Sequence, residues 1–155
     1  MKSACFTGHR NLSCDIEDLK MRLYNVLERA VKNAGIKEFY NGGAVGFDIF
    51  TAQIILNLRE LYPEIKLHLI LPCSPKEQSK SWSDNQKTAY FRALKLADSI
   101  EQIADSYYDG CIKERNARLV ALSDCCFCYW DGRYRSGTAQ TIRMAKRKRI
   151  MIVNF

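Results

Sequence analysis

The sequence predicts an α/β domain of three layers: a mostly parallel sheet of about six strands with helices on both faces. Three observations carry that prediction. Short apolar runs alternate along the chain with segments whose apolar residues recur at helical spacing. The helical segments are long enough to serve as crossovers between parallel neighbours, which a tight turn cannot join. At 155 residues, with 47% apolar and 26% charged side chains, the chain is one ordinary domain, residues 1–155, with enough length for a real core.

The elements follow in order. Residues 3–7 form a short buried strand broken by Gly8. Residues 15–34 form a long helix, because Ile16, Leu19, Leu23, Val26, Leu27, Ala30 and Val31 share one face and Gly35 supplies a stop. A second strand, 38–40, leads into a glycine-rich loop and a helix from 47 to about 61, closed by Pro63. The third strand, 66–71, ends at Pro72. A helix over 85–97, a weaker strand at 99–103, a helix over 112–122 and a strand at 125–130 come next. A helix over 137–147 and a last strand at 150–153 complete the chain. Such alternation of strands and helices implies right-handed βαβ units.

Composition narrows the functional classes. No Pro-, Gly- or Ser-rich linker divides the chain and no internal repeat is visible. Neither a signal peptide nor a run of transmembrane length is present, so a cytoplasmic protein without membrane attachment is expected. Seven cysteines, an odd count, read as reduced thiols. Cys125 and Cys128 form a Cys-x-x-Cys, but on a strand they point to opposite faces, and no second ligand pair exists. No metal site is therefore expected. The net charge is +7, with Arg133, Arg135, Arg143, Lys146, Arg147, Lys148 and Arg149 gathered near the end. That cluster is either a footprint for nucleic acid or polyphosphate, or a solvated helix whose last turn suits the negative end of its dipole.

In a parallel sheet ligands bind outside the carboxyl ends of the strands, where strand order reverses. The loops expected there read Gly8-His9-Arg10, Asn41-Gly42-Gly43-Ala44-Val45-Gly46-Phe47-Asp48, Pro72-Cys73-Ser74-Pro75, and Asp131-Gly132 through Ser136-Gly137-Thr138. Glycines bring bare N–H groups against a ligand, and a helix start adds unpaired donors and a positive dipole end. Gly42, Gly43, Ala44 and Gly46 thus read as one phosphate cradle, and Ser136, Gly137 and Thr138 as a second. His9 is a candidate phosphate contact or acid/base, or a loop histidine bonded to backbone. Arg10 and Arg115 either fork onto phosphate or pair with carboxylates nearby. Asp48 either binds ribose hydroxyls or suits its helix dipole. The long connection 72–86 resembles a lid or binding loop. Within it Trp82 either stacks on a base or pins the loop to the core, and Tyr107 and Tyr108 share that ambiguity.

These residues resemble a known family. Thr7-Gly8-His9-Arg10, the Gly42-Gly43-Ala44-x-Gly46-x-Asp48 loop, and Ser136-Gly137-Thr138 with Thr141 and Ala145 resemble the Rossmann-like SLOG superfamily. That superfamily unites DNA-processing protein A, the YpsA-like proteins and the "lonely guy" phosphoribohydrolases. The YpsA-like branch matches best, through Pro72-Cys73, Trp82, Tyr108, Arg115-Asn116 and Ser123-Asp124 as well. The resemblance covers nearly the whole chain and implies a Rossmann-like fold, a nucleotide or ADP-ribose-like ligand, and self-association into a homo-oligomer. The phosphoribohydrolases pair a Glu-Arg-Lys segment with Pro-Gly-Gly-x-Gly-Thr-x-x-Glu. Here Glu114-Arg115-Asn116 keeps the arginine, but Thr141 stands where the catalytic glutamate belongs. Glycosidic cleavage needs carboxylate help that a threonine cannot give, leaving only Asp48 or Asp131 as substitutes.

The expected function is binding of a nucleotide or nucleotide-derived ligand at the strand carboxyl ends, in a sensing or regulatory role. Single-stranded nucleic-acid binding, as in DNA-processing protein A, and hydrolysis of a nucleotide N-glycosidic bond are the alternatives, and Asn116 joins the ligand-binding set beside Arg115.

Overall fold

The computed structural model describes residues 1–155. Six strands, β1 (Ser3–Gly8), β2 (Glu38–Asn41), β3 (Lys66–Leu71), β4 (Ser99–Gln102), β5 (Cys125–Tyr129) and β6 (Met151–Asn154), form one sheet in the order β4-β3-β2-β1-β5-β6. Every pairing is parallel, so the sheet is wholly parallel where a mostly parallel one was expected. The chain runs outward from β1 to β4, then returns to add β5 on the other side of β1. That reversal puts the crevice of the fold above β1 and β5.

Six helices connect the strands: α1 (Ile16–Ala34), α2 (Phe47–Leu61), α3 (Pro75–Ser79), α4 (Asp84–Leu96), α5 (Cys111–Ala121) and α6 (Gly137–Lys148). The outward half of the chain places α1, α2 and α4 together on one face, and the return places α5 and α6 on the other. The apolar residues divide accordingly. Phe6, Phe39, Leu67, Leu69 and Phe127 face α1 and α2, whereas Cys5, Ile70, Cys126 and Cys128 face α5 and α6. Cys125 belongs to the first group and Cys128 to the second, as strand alternation requires, and all seven cysteines are free thiols.

Local chemistry explains the helix limits. Asp15 accepts the N–H groups of Glu17 and Asp18 and so caps α1 from outside. Gly35, at φ 70°, closes the same helix in the left-handed region. Leu19, Leu23 and Leu27 are fully buried against the sheet. Each such side chain stabilises the fold by about 1.5–3 kcal/mol. Ser83 and Gln86 form a reciprocal capping box that starts α4.

The connection 72–86 is more ordered than the sequence indicated. Ser74 caps the five-residue helix α3, which begins at Pro75. From α3, Gln78 donates to the Gly42 carbonyl at 3.3 Å and accepts the Tyr90 hydroxyl at 2.6 Å, bracing the glycine loop from the side. β4 is an edge strand whose four residues are all exposed, consistent with its weak apolar signal. No helix is long and apolar enough to cross a membrane.

Candidate functional site

A cavity of about 440 Å³ opens at the carboxyl ends of β1 and β5. Its size lies within the roughly 300–1,000 Å³ span of small-molecule sites. The first wall is the turn after β1. Gly8 packs directly on the Phe47 ring, leaving no room for a side chain. The His9 backbone donates to the Tyr129 carbonyl at 3.3 Å and accepts the Phe47 N–H at 3.2 Å, so it ties β1 to both β5 and α2. The imidazole Nε2 stands 3.0 Å from Asp131 Oδ1 and 3.1 Å from the Asp131 backbone N–H. These two contacts exclude each other: Nε2 donates to the carboxylate when it carries a proton and accepts the N–H when it does not. Nδ1 has no partner in the protein and is not sealed from solvent. Asp131 is held below the usual carboxylate range, first by the Arg133 N–H and then by the Arg133 guanidinium and His9. Arg10, beside His9, is exposed and pairs with no carboxylate.

The glycine loop forms the second wall, and its glycines serve the protein's own contacts. Asn41, fully buried, donates to the Asp48 carbonyl at 2.8 Å and accepts the Gly43 N–H at 2.8 Å. The Ala44 N–H donates to Asp48 Oδ2 at 3.3 Å. Two N–H groups assigned to a phosphate cradle are therefore already engaged, one by an amide and one by the loop's own carboxylate. Gly42 lies under the Arg115 guanidinium, and its carbonyl accepts from Arg115 Nη1. Gly43 abuts the Tyr90 ring, and Gly46, at φ 86°, lies against the Arg10 backbone. Only Ala44 and Asp48 of this loop line the cavity. Asp48 is 6% exposed, and burial pushes its pKa up to about 6 against the opposing pull of Arg115, the Ala44 N–H and Arg10.

The third wall comes from α5 and the start of α6. Arg115 is 5% exposed and is fixed by Gly42 and by Asn116, whose Oδ1 accepts from Nε at 2.8 Å. Burial lowers the Arg115 pKa, and the nearby Asp48 raises it. Its Nη2 and the Asn116 amide nitrogen have no protein partner, and both residues line the cavity. Ser136 caps α6 by accepting the Ala139 N–H at 3.0 Å. Gly137 and Thr138 follow in the first turn on the cavity wall, with the Asn116 amide nitrogen beside Gly137. Thr141, fully buried one turn further on, donates its hydroxyl to the Gly137 carbonyl at 2.9 Å and does not line the cavity.

The fold thus brings together Gly8, His9, Arg10, Ala44, Asp48, Arg115, Asn116, Ser136, Gly137 and Thr138 from the loops after β1, β2 and β5 and from α5. Gly42, Gly43 and Gly46 support this group from behind. Trp82 stands elsewhere: half-buried, it meets the Tyr90 ring edge-on with centroids 4.9 Å apart. The segment after β3 does not reach the cavity, and Tyr107 and Tyr108 lie on the surface. The sequence reading missed Asn11 and Ile112 as lining residues and Asn41 as the knot behind the loop. An Asn-Gly pair at a strand end is a turn signal that marks Asn41; Asn11 and Ile112 carry no such mark. The basic terminal cluster is partly engaged. Lys148 Nζ donates to the carbonyls of Val120, Ala121 and Ser123 at 2.8–3.0 Å, Arg143 covers the Tyr134 ring and Lys146 the Trp130 ring.

Comparison with known proteins matches residues 5–152 to the YpsA family model, described as the YspA SLOG family. The chain is similar to the uncharacterized SPbeta prophage-derived protein YoqJ of Bacillus subtilis, 28% identical over 83% of this chain and 81% of the relative. It is also similar to the UPF0398 protein YpsA of the same organism, 25% identical over 92% of this chain and 87% of the relative. Among solved structures, a structural-genomics X-ray structure of TM1055 superposes with a TM-score of 0.60 at 16% identity, covering 98% of this chain and 72% of the other.

Proposed function

We propose that this chain, which belongs to the YspA SLOG family, binds a nucleotide or nucleotide-derived ligand in the cavity above β1 and β5. The observation that carries the reading is Arg115, a buried guanidinium fixed on two sides with its Nη2 unengaged, on the cavity wall that α5 shares with the first turn of α6. A buried cation without a carboxylate salt bridge is costly unless something anionic completes it. The N–H groups of Gly137 and Thr138 offer the same ligand a helix N-terminus, and Arg10 and Arg133 add positive charge. Phosphate is the group that suits this set. In this reading the anion sits against α6 and Arg115, and Asp48, whose carboxyl burial pushes up to about 6, faces the sugar hydroxyls.

The role is binding and sensing in the cytoplasm. Thr141, at the position of the phosphoribohydrolase glutamate, is turned into its own helix and offers no acid or base. The nucleic-acid alternative has no comparable support, since Lys148, Arg143 and Lys146 have intramolecular partners. The test is native mass spectrometry of freshly purified protein for a retained ligand, followed by calorimetric titration with nucleoside mono- and diphosphates and ADP-ribose. The reading expects binding by at least one member, abolished in Arg115→Gln. No binding by any member, and no retained ligand, would remove it.

A further inference from the structure

A second hollow, of about 260 Å³, lies on the other side of the turn after β1, between the starts of α2 and α4. Its chemistry differs from that of the cavity. Leu12, Val45, Ile49 and Phe50 give it an apolar floor, and no charged residue lines it. Gln53 on α2 and Asn85 at the start of α4 stand at its sides, and neither carboxamide has a hydrogen-bond partner in the protein. Apolar surface for a flat ring, with a few carboxamides to bond its edge, is how protein sites read a nucleobase.

The two hollows share a thin wall. The segment Arg10–Asn11 lines the cavity and Leu12 lines the groove; Ala44 lines the cavity, while Val45 and Gly46 line the groove. At the wall itself Gly46 lies directly on the Arg10 backbone, where a Cβ would collide with the Arg10 carbonyl. No side chain therefore intervenes at that contact, where the backbone of Gly46 meets that of Arg10. Arg10, exposed and free of any salt bridge, rises from this wall.

We propose that the groove is a second nucleobase subsite, so that the ligand class is a dinucleotide joined through its phosphates. One nucleotide occupies the cavity, the bridging phosphates cross the wall beside Arg10, and the second ring lies on Phe50 between Gln53 and Asn85. This rests on the nucleotide reading of the cavity and extends it to a ligand with two heads.

The experiment compares AMP with two dinucleotide probes, diadenosine diphosphate and NAD, by calorimetric titration of the full chain. At least one dinucleotide should bind about tenfold or more tightly than AMP, the gain that one added stacked ring provides. Ala89→Trp, which fills the groove from the α4 side, and Asn85→Ala, at an exposed position, should each reduce that gain and leave AMP affinity unchanged. Thermal melting of both variants checks that the fold is intact; Asn85→Ala carries the test if the larger substitution unfolds. Equal affinity for AMP and both dinucleotides would overturn the subsite while leaving the cavity reading in place. Groove substitutions that weaken AMP and dinucleotide alike would overturn it as well. Failure of every probe to bind would count against the cavity reading itself.

Discussion

Asp48→Asn removes the charge of a buried carboxyl in the cavity wall. Burial raises the Asp48 carboxyl from 3.8 to about 6, despite the pull of Arg115, the Ala44 N–H and Arg10. A group whose pKa is higher folded than unfolded contributes stability that is fully present below the unfolded value and is lost as pH rises through the folded one. The rise from 3.8 to about 6, at about 1.4 kcal/mol per pH unit, amounts to about 3 kcal/mol. Asparagine keeps an oxygen for the Ala44 N–H and carries no charge. The stability of Asp48→Asn relative to wild type should therefore improve by about 3 kcal/mol between pH 3.5 and pH 7.5, most of it between pH 4 and pH 6. Urea unfolding of both proteins across that range measures it. Glu28, Asp124 and Asp131 have lowered pKa values and act in the opposite sense, but they are common to both proteins and cancel in the difference. A difference that does not change with pH would refute the assignment. Functional sites are where folds most often keep a carboxylate at such a cost, and Asp48 lines the cavity of the proposed ligand.

Gly46→Ala should be destabilised by more than about 2 kcal/mol, because φ 86° is strained for alanine and the added carbon meets the Arg10 carbonyl. Gly132→Ala, at φ 90° in open space, should lose clearly less, and equal urea midpoints for the two would contradict the close approach. Ser136→Ala removes the cap of α6 and should lower stability by about 1 kcal/mol in thermal melts, with Ser136→Thr restoring it. Trp82→Leu should lower the melting temperature, since it loses the edge-on contact with Tyr90, yet leave affinity for any cavity ligand unchanged. A selective loss of affinity would return Trp82 to the ligand.

The architecture was legible because its signals are local and repeated. The period of Leu19, Leu23 and Leu27 set the face of α1, and Asp15 and Gly35 set its ends. Alternation in β5 correctly separated Cys125 from Cys128. The short helix α3 escaped because five residues hold too little periodicity, although Ser74-Pro75 with Glu77 is a capping pattern. The glycine loop shows a different limit. A glycine's need for space is visible in sequence, but what fills the space is not. At Gly42 it is Arg115, 73 residues away, and at Gly46 it is the Arg10 backbone. The same holds for Trp82, whose neighbour Tyr90 lies on a helix that only the fold brings beside it. The rule that ligands meet the carboxyl ends of parallel strands gathered the loops after β1, β2, β3 and β5 into one crevice; the cavity joins three of them, and the loop after β3 stays outside it.

The most direct test of the central claim is the backbone amide NMR spectrum of the protein titrated with the nucleotide it binds most tightly. The account predicts the largest shifts at Gly137 and Thr138, accompanied by the Arg115 side-chain resonances, with smaller changes at Gly43, whose N–H is held by Asn41. Shifts concentrated on Gly42–Gly46, with Gly137, Thr138 and Arg115 unmoved, would contradict it.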